Sequence, residues 1–206
     1  MNLASEVAKR LLQIKAIKLN PQNPFTWASG IQSPIYCDNR IVLSYPEVRD
    51  FVKKGLVEKA GEFGEFDVVA GVATAGIAHG MLLADAINKP FIYVRSAAKG
   101  HGRQNLIEGE LQKGQRVLVV EDLISTGGSS IKAIEALREE VANVVGCLAI
   151  FTYGFHKANK AFEAALCPFD TLSNYDALIA EAIESQYITQ ADLDYLINWR
   201  AKVGSS

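Results

Sequence analysis

A chain of 206 residues can bury a sizeable core but is short for two full domains, so a single domain over 1–206 with at most a small lobe is expected. Hydrophobic residues make up 49% and charged residues 21%, an ordinary balance for a folded protein, and the net charge of −2 offers no basic field for nucleic acid. Three scattered cysteines (Cys37, Cys147, Cys167) with no Cys-x-x-Cys pair point to a reducing, cytoplasmic setting, and three histidines without an HExxH motif speak against a structural zinc site.

The first segment intersperses Glu6, Lys9, Arg10 and Lys15 among apolar residues, which predicts an amphipathic helix over about Leu3–Ile17 and not a signal peptide. No apolar run approaches the ~18 residues that span a bilayer, so no membrane association is expected. The stretch NPQNPFTWASGIQSPIYCDNR is rich in Pro, Asn, Ser and Gly and reads as an irregular lobe outside any main sheet. A helix follows, with Pro46 near its start and Val48, Phe51, Val52, Leu56 and Val57 at helical spacing.

FDVVAGV is a short buried strand, AGIAHGMLLADAIN a helix and PFIYVR a second strand. SAAKGHGRQNLIEGELQKGQ has no clear period, although IEGEL suits a short strand, and a connection of this length is usually functional or disordered. RVLVVED is a third strand, SSIKAIEALREE a helix and ANVVGCLAIFTY a fourth strand. From about His156 the chain reads as helical, ending in TQADLDYLINWRAKV with Thr189 as N-cap. Continuous apolar strands alternating with helices imply an α/β fold with a mostly parallel central sheet covered on both faces. Its core is expected at about residues 65–155, with ligands at the carboxyl ends of the strands.

VLVVEDLISTGGSS concentrates chemistry at such an end. Glu121 and Asp122 leave the strand, and Ser125, Thr126, Gly127, Gly128 and Ser129 turn the chain into a helix. The glycines permit close backbone approach, the helix start offers unpaired amides, and the hydroxyls add donors; together they form a phosphate cradle. Two acids would repel the phosphate, so they suit sugar hydroxyls or a hydrated Mg²⁺ beside it. The loop lacks the Gly-Lys-Ser/Thr of a Walker motif. A plain helix start with Ser capping would need no acid pair. GVATAGI, Gly71 to Ile77, likewise follows a strand and opens a helix, leaving the amides of Thr74, Ala75 and Gly76 available to an anion.

Val117–Ser129 resembles the phosphoribosyl-pyrophosphate (PRPP) signature of type I phosphoribosyltransferases. PFTWASGIQSPIYCDNR and VRSAAKGHGRQNLIEG resemble, respectively, the N-terminal segment and the mobile loop of the orotate members of that family. With AGVATAGIAHG, the resemblance covers most of the chain from about Phe25 to Tyr153. It implies the type I fold, with about 1–45 contributing a hood over the base site. It also implies transfer of phosphoribose from PRPP to orotate with Mg²⁺ as cofactor, bound through PRPP and water near Glu121 and Asp122 with no direct protein ligand. The resemblance assigns the ribose to Glu121 and Asp122, the 5-phosphate to Ser125 through Ser129, and the pyrophosphate to Thr74, Ala75, Gly76, Arg95, Lys99 and His101. Lys99, His101 and Asp122 are the expected catalytic residues, and Phe25, Ser29, Gly30, Ile35, Tyr36 and Ser125 the expected base-binding ones. In the family the loop Lys and His reach the neighbouring subunit's site, so a homodimer is implied.

The cationic loop suits the reaction, because departing pyrophosphate gathers negative charge that Arg95, Lys99 and His101 would meet. Gly100 and Gly102 would let the loop close and exclude water. Ala28, Gln32, Ser96 and Ala97 stand where relatives often carry lysine. Transfer to a purine on the same scaffold, or a PRPP-sensing regulator that binds nucleic acid, are the alternative readings.

Overall fold

The computed structural model describes residues 2–27, 30–97 and 106–204. Helix α1 (Leu3–Gln13) starts where Asn2 Oδ1 accepts the Ser5 amide at 2.9 Å, and it stops before Lys15, whose φ of 58° ends the helical path. Two small antiparallel pairs follow: β1 (Ile17–Leu19) with β4 (Ile35–Cys37), and β2 (Phe25–Thr26) with β3 (Gln32–Ser33) between them. A 3-10 segment, Asn39–Ser44, leads into α2 (Pro46–Ala60), which has Pro46 in its first turn.

The main chain alternation is then β5 (Val68–Val72), α3 (Ala75–Ala86), β6 (Phe91–Val94), β7 (Ile107–Glu108), β8 (Arg116–Ile124), α4 (Gly128–Glu139), β9 (Asn143–Thr152), α5 (His156–Ala164), β10 (Phe169–Asn174), α6 (Tyr175–Glu184) and α7 (Leu193–Gly204). These build a six-stranded sheet in the order β10-β9-β8-β5-β6-β7, parallel except where β7 runs against β6.

The apolar run of β8 is explained by cover on both faces. Leu118 and Val120 join a core with α1, α2, α3 and α6, whereas Val117 and Val119 join a second core with α4 and α5; all four are fully buried. At about 1.5–3 kcal/mol for each buried aliphatic side chain, these positions anchor the centre of the sheet.

Two expectations are corrected. The region after His156 is not wholly helical, because Phe169–Asn174 pairs in parallel with β9 from Phe169 opposite Cys147 to Asn174 opposite Thr152. Its polar residues Asp170, Thr171, Ser173 and Asn174 hide the strand pattern, and they are tolerated because β10 is an edge. Helix α1, expected with the N-terminal lobe, packs instead in the core, where Ser173 Oγ donates to Ala4 O at 2.7 Å. The lobe itself is the β1–β4 region. Thr189 does cap the C-terminal segment, in a reciprocal box with Asp192.

The lobe is fastened from the far end of the chain. Trp199 of α7 donates its Nε1 to Gln32 O at 3.0 Å and meets Trp27 edge-on with ring centroids 5.7 Å apart. Trp27 Nε1 in turn donates to Ile35 O at 3.0 Å. The cysteines are all free thiols, and among the described residues no helix is long and apolar enough to cross a membrane.

Candidate active site

Strand β8 carries the two acids beyond the point where one neighbour leaves it. β5 accompanies it only to Gly71 opposite Val120, then turns into α3, while β9 stays paired through Ile124 opposite Thr152. The acids therefore do not end the strand, as the sequence suggested. They occupy a stretch that is sheet on one edge and open on the other.

Glu121 joins the two helix starts. It is 4% exposed; its Oε2 accepts the hydroxyls of Ser129 at 3.0 Å and Ser130 at 3.3 Å, and its Oε1 accepts the Asp122 amide at 3.1 Å. Burial, reinforced by the charge of Asp122, pushes the Glu121 carboxyl up to about 8, and burial raises Asp122 as well. Adjacent buried acids resist double ionisation, so the pair holds a proton near neutral pH. A ligand that brings hydroxyl donors or positive charge draws both into the ionised form.

A stability signature follows from this shift. The folded carboxyl keeps its proton to higher pH than the unfolded one, so folding stability declines as pH rises from the ordinary 4.5 toward about 8. Glu121→Gln removes the part of that decline that Glu121 carries. Thermal melts of the two proteins should diverge across this window, in favour of the variant at its upper end. A difference independent of pH would mean that the carboxyl is not raised.

Helices α3 and α4 both begin without a side-chain cap, which leaves first-turn amides open at Ala75 and Gly76 and at Gly128 and Ser129. The peptide between Ala73 and Thr74 is cis. Gly76 lies directly against β8: a Cβ there would fall 2.5 Å from Val120 O and 3.2 Å from Glu121 Cα. Gly127 has φ +82°, a conformation that glycine adopts freely, and it turns the chain from β8 into α4. A cleft of about 550 Å³ connects Ala73, Arg95, Ser96, Gly128, Ser129 and Lys132. Arg95 is steered there by its backbone N–H on Leu106 O at 2.8 Å and by Glu108, whose carboxylate lies 3.5 Å from the guanidinium.

On the β9 side of the acids is a smaller pocket of about 260 Å³, lined by Thr26, Trp27, Tyr36, Cys37, Leu123, Ser125 and Tyr153. Trp27 stacks on Tyr153 at 5.4 Å, 28° from parallel. Burial pushes the Tyr153 phenol well above its usual value, so it stays a neutral hydroxyl. A pocket with aromatic side chains in its lining suits a planar ligand.

The structure thus brings together Thr74, Ala75, Gly76, Glu121, Asp122, Ser125, Thr126, Gly127, Gly128 and Ser129, with Arg95 at the cleft and Tyr36 in the pocket. Three expected base contacts lie elsewhere. Ile35 is fully buried, its carbonyl taken by Trp27 and Ser33 and its amide bonded to Ser33 Oγ. Phe25 supports Tyr36 with ring centroids 5.8 Å apart, outside the pocket lining. Gly30 forms the tip of the β2–β3 hairpin with φ +85°, its amide on Trp27 O. Lys99, His101 and Ser29 lie outside the described residues.

Sequence reasoning missed Lys132, Cys37, Leu123 and Tyr153 as lining residues. Lys132 had a readable signal, one helical turn after Gly128. Leu123 and Tyr153 looked like core, and only the register of β8 against β9 places them at the pocket. Gln32 serves the hairpin, its Nε2 donating to Thr26 Oγ1 at 2.8 Å.

An acid pair between two uncapped helix starts, on a parallel sheet with a lobe beside it, defines a phosphoribosyltransferase, and residues 42–168 match the Phosphoribosyl transferase domain family. An orotate phosphoribosyltransferase of Listeria innocua is 55% identical over 201 residues, 97% of this chain and 96% of the relative. The solved orotate phosphoribosyltransferase of Aeropyrum pernix has a TM-score of 0.76 and 28% identity, covering 88% of this chain and 99% of that one. The UMP synthase of Leishmania donovani matches with a TM-score of 0.80 and 29% identity over 95% of this chain, which spans 42% of that longer protein. The chain belongs to the orotate phosphoribosyltransferase family.

Proposed function

We propose that this protein transfers the 5-phosphoribosyl group of PRPP to N1 of orotate, giving orotidine 5′-monophosphate and pyrophosphate in pyrimidine synthesis. The observation that carries the reading is the adjacency of three differently equipped places on β8. Buried acids suit a ribose, open α4 amides suit a phosphate, and the aromatic pocket at Trp27, Tyr36 and Tyr153 suits a planar base. Near-full-length identity of 55% to an orotate enzyme supports orotate over a purine.

In this scheme Asp122 and Glu121 hold the ribose hydroxyls, and the amides of Gly127 to Ser129 hold the 5-phosphate. Orotate N1 forms its bond to the anomeric carbon, with inversion, as the bond from that carbon to the pyrophosphate oxygen breaks, and the N1 proton leaves to water or the departing pyrophosphate. Arg95 and the amides of Ala75 and Gly76 receive the charge that accumulates on the leaving group. No side chain is assigned as nucleophile; positioning and charge neutralisation account for the rate.

The acid pair also fits Mg²⁺ carried by the substrate. Two buried carboxylates with raised values gain from a nearby cation, and the described residues contain no group of three His, Cys, Asp or Glu able to cage a metal by themselves. Glu121 and Asp122 would hold it through water beside PRPP, and when bound it would supply neutralisation of pyrophosphate charge. The free thiols support a cytoplasmic location.

We further assign Lys99 and His101 to the leaving group in the partner subunit of a homodimer, on the resemblance of the RSAAKGHG loop to the family's. Lys99→Ala should lower turnover far more than it lowers the melting temperature. Mixing Lys99→Ala subunits with Asp122→Asn subunits should restore part of the activity, since some hybrid sites carry both native residues. If the mixture stays as inactive as its components, the sites are not shared.

A further inference from the structure

Behind Asp122 lies a buried polar link that the scheme above does not use. Asn39 has no exposed surface, and its Nδ2 donates to the backbone oxygen of Asp122 at 2.7 Å. It stands two residues after Cys37, a wall of the base pocket, and its side-chain amide also bears on the Cys37 thiol. His79, 1% exposed on α3, hydrogen-bonds the Asn39 backbone, and its burial lowers it to about 4, so the ring is neutral near physiological pH. Each residue keeps another polar atom, Asn39 Oδ1 and His79 Nε2, buried without a hydrogen-bond partner. An apolar pair would avoid that desolvation penalty, so the polar pair is not what stability alone would select.

We propose that Asn39 and His79 are positioning residues: through the Asn39 amide they set the backbone of Asp122 relative to the base pocket, so that ribose and base meet at reacting distance. The chain of contact is continuous, from α3 through His79 to Asn39, and from Asn39 to both Asp122 and Cys37. It joins the element that opens the pyrophosphate loop, the ribose acid and the base wall. Misplacement on the scale of an ångström is enough to slow such a reaction by about two orders of magnitude.

The inference rests on the orotate reading, and wild-type turnover with orotate is the control that separates the two. No wild-type turnover removes that reading; normal wild-type turnover with unaffected variants removes this inference alone. Asn39→Leu keeps the volume and deletes the donor. It is expected to lower kcat ~30-fold while changing the orotate KM less than ~3-fold. His79→Asn retains a donor at the ring's Nδ1 position and should keep kcat within ~3-fold, whereas His79→Leu should lose ~10-fold. Should Asn39→Leu fail to fold, the His79 pair decides the matter. Equal kcat in the two His79 variants, or a folded Asn39→Leu with wild-type kcat, overturns the proposal.

Discussion

Asp122→Asn is expected to lower turnover by about 10³-fold, the scale seen when one preorganised charged contact to a transition state is removed. The reasoning begins with its position. Asp122 lies on β8 beyond the end of its pairing with β5, its carbonyl held by Asn39 and its carboxyl raised by burial beside Glu121. Keeping a charge there opposes folding, so the residue is better explained by what it does to a bound sugar. The neutral isostere should melt no lower than the parent protein and should bind PRPP more weakly. Initial rates of pyrophosphate release at saturating orotate, paired with melting curves, check this; a loss of less than tenfold would remove Asp122 from the catalytic centre.

Gly76→Ala should be damaging out of proportion to one methyl group. The added carbon would sit 2.5 Å from Val120 O and 3.2 Å from Glu121 Cα, so either α3 or β8 must shift. Both neighbours are backbone, which cannot rotate aside as a side chain would. Overpacking of this kind costs about 1–3 kcal/mol or more. Because the same contact sets α3's open amides beside the acids, activity should fall even at temperatures where the variant is folded. Denaturant melts give the first quantity and pyrophosphate release the second. A variant with parental stability and rate would show that the helix start has room to spare.

The sheet was legible because β5 and long runs of β8 and β9 are continuously apolar, a pattern that cover on both faces explains, and these three strands stand where that pattern put them. β10 was not, since an edge strand of mixed Asp, Thr, Ser and Asn carries no such run. The acid-and-glycine half of the candidate site was legible for a related reason. Acids followed by Ser-Thr-Gly-Gly-Ser are local in sequence, and the turn at Gly127 keeps them local in space.

The aromatic pocket is assembled from separate segments. Thr26 and Trp27, Tyr36 and Cys37, Leu123 and Ser125, and Tyr153 meet only through β8–β9 register and through the lobe's attachment to Trp199. Sequence pattern could name the lobe but not which of its faces turns inward, so it could not tell that Tyr36 lines the pocket while Ile35 is buried behind it. Cys37 was passed over for the same reason.

The most direct measurement incubates the purified protein with Mg²⁺ and PRPP against orotate, uracil, adenine and guanine, following ultraviolet absorbance and pyrophosphate release. The account predicts turnover with orotate and none with the purines. Turnover with a purine but not orotate, or PRPP binding without turnover on any base, would contradict it.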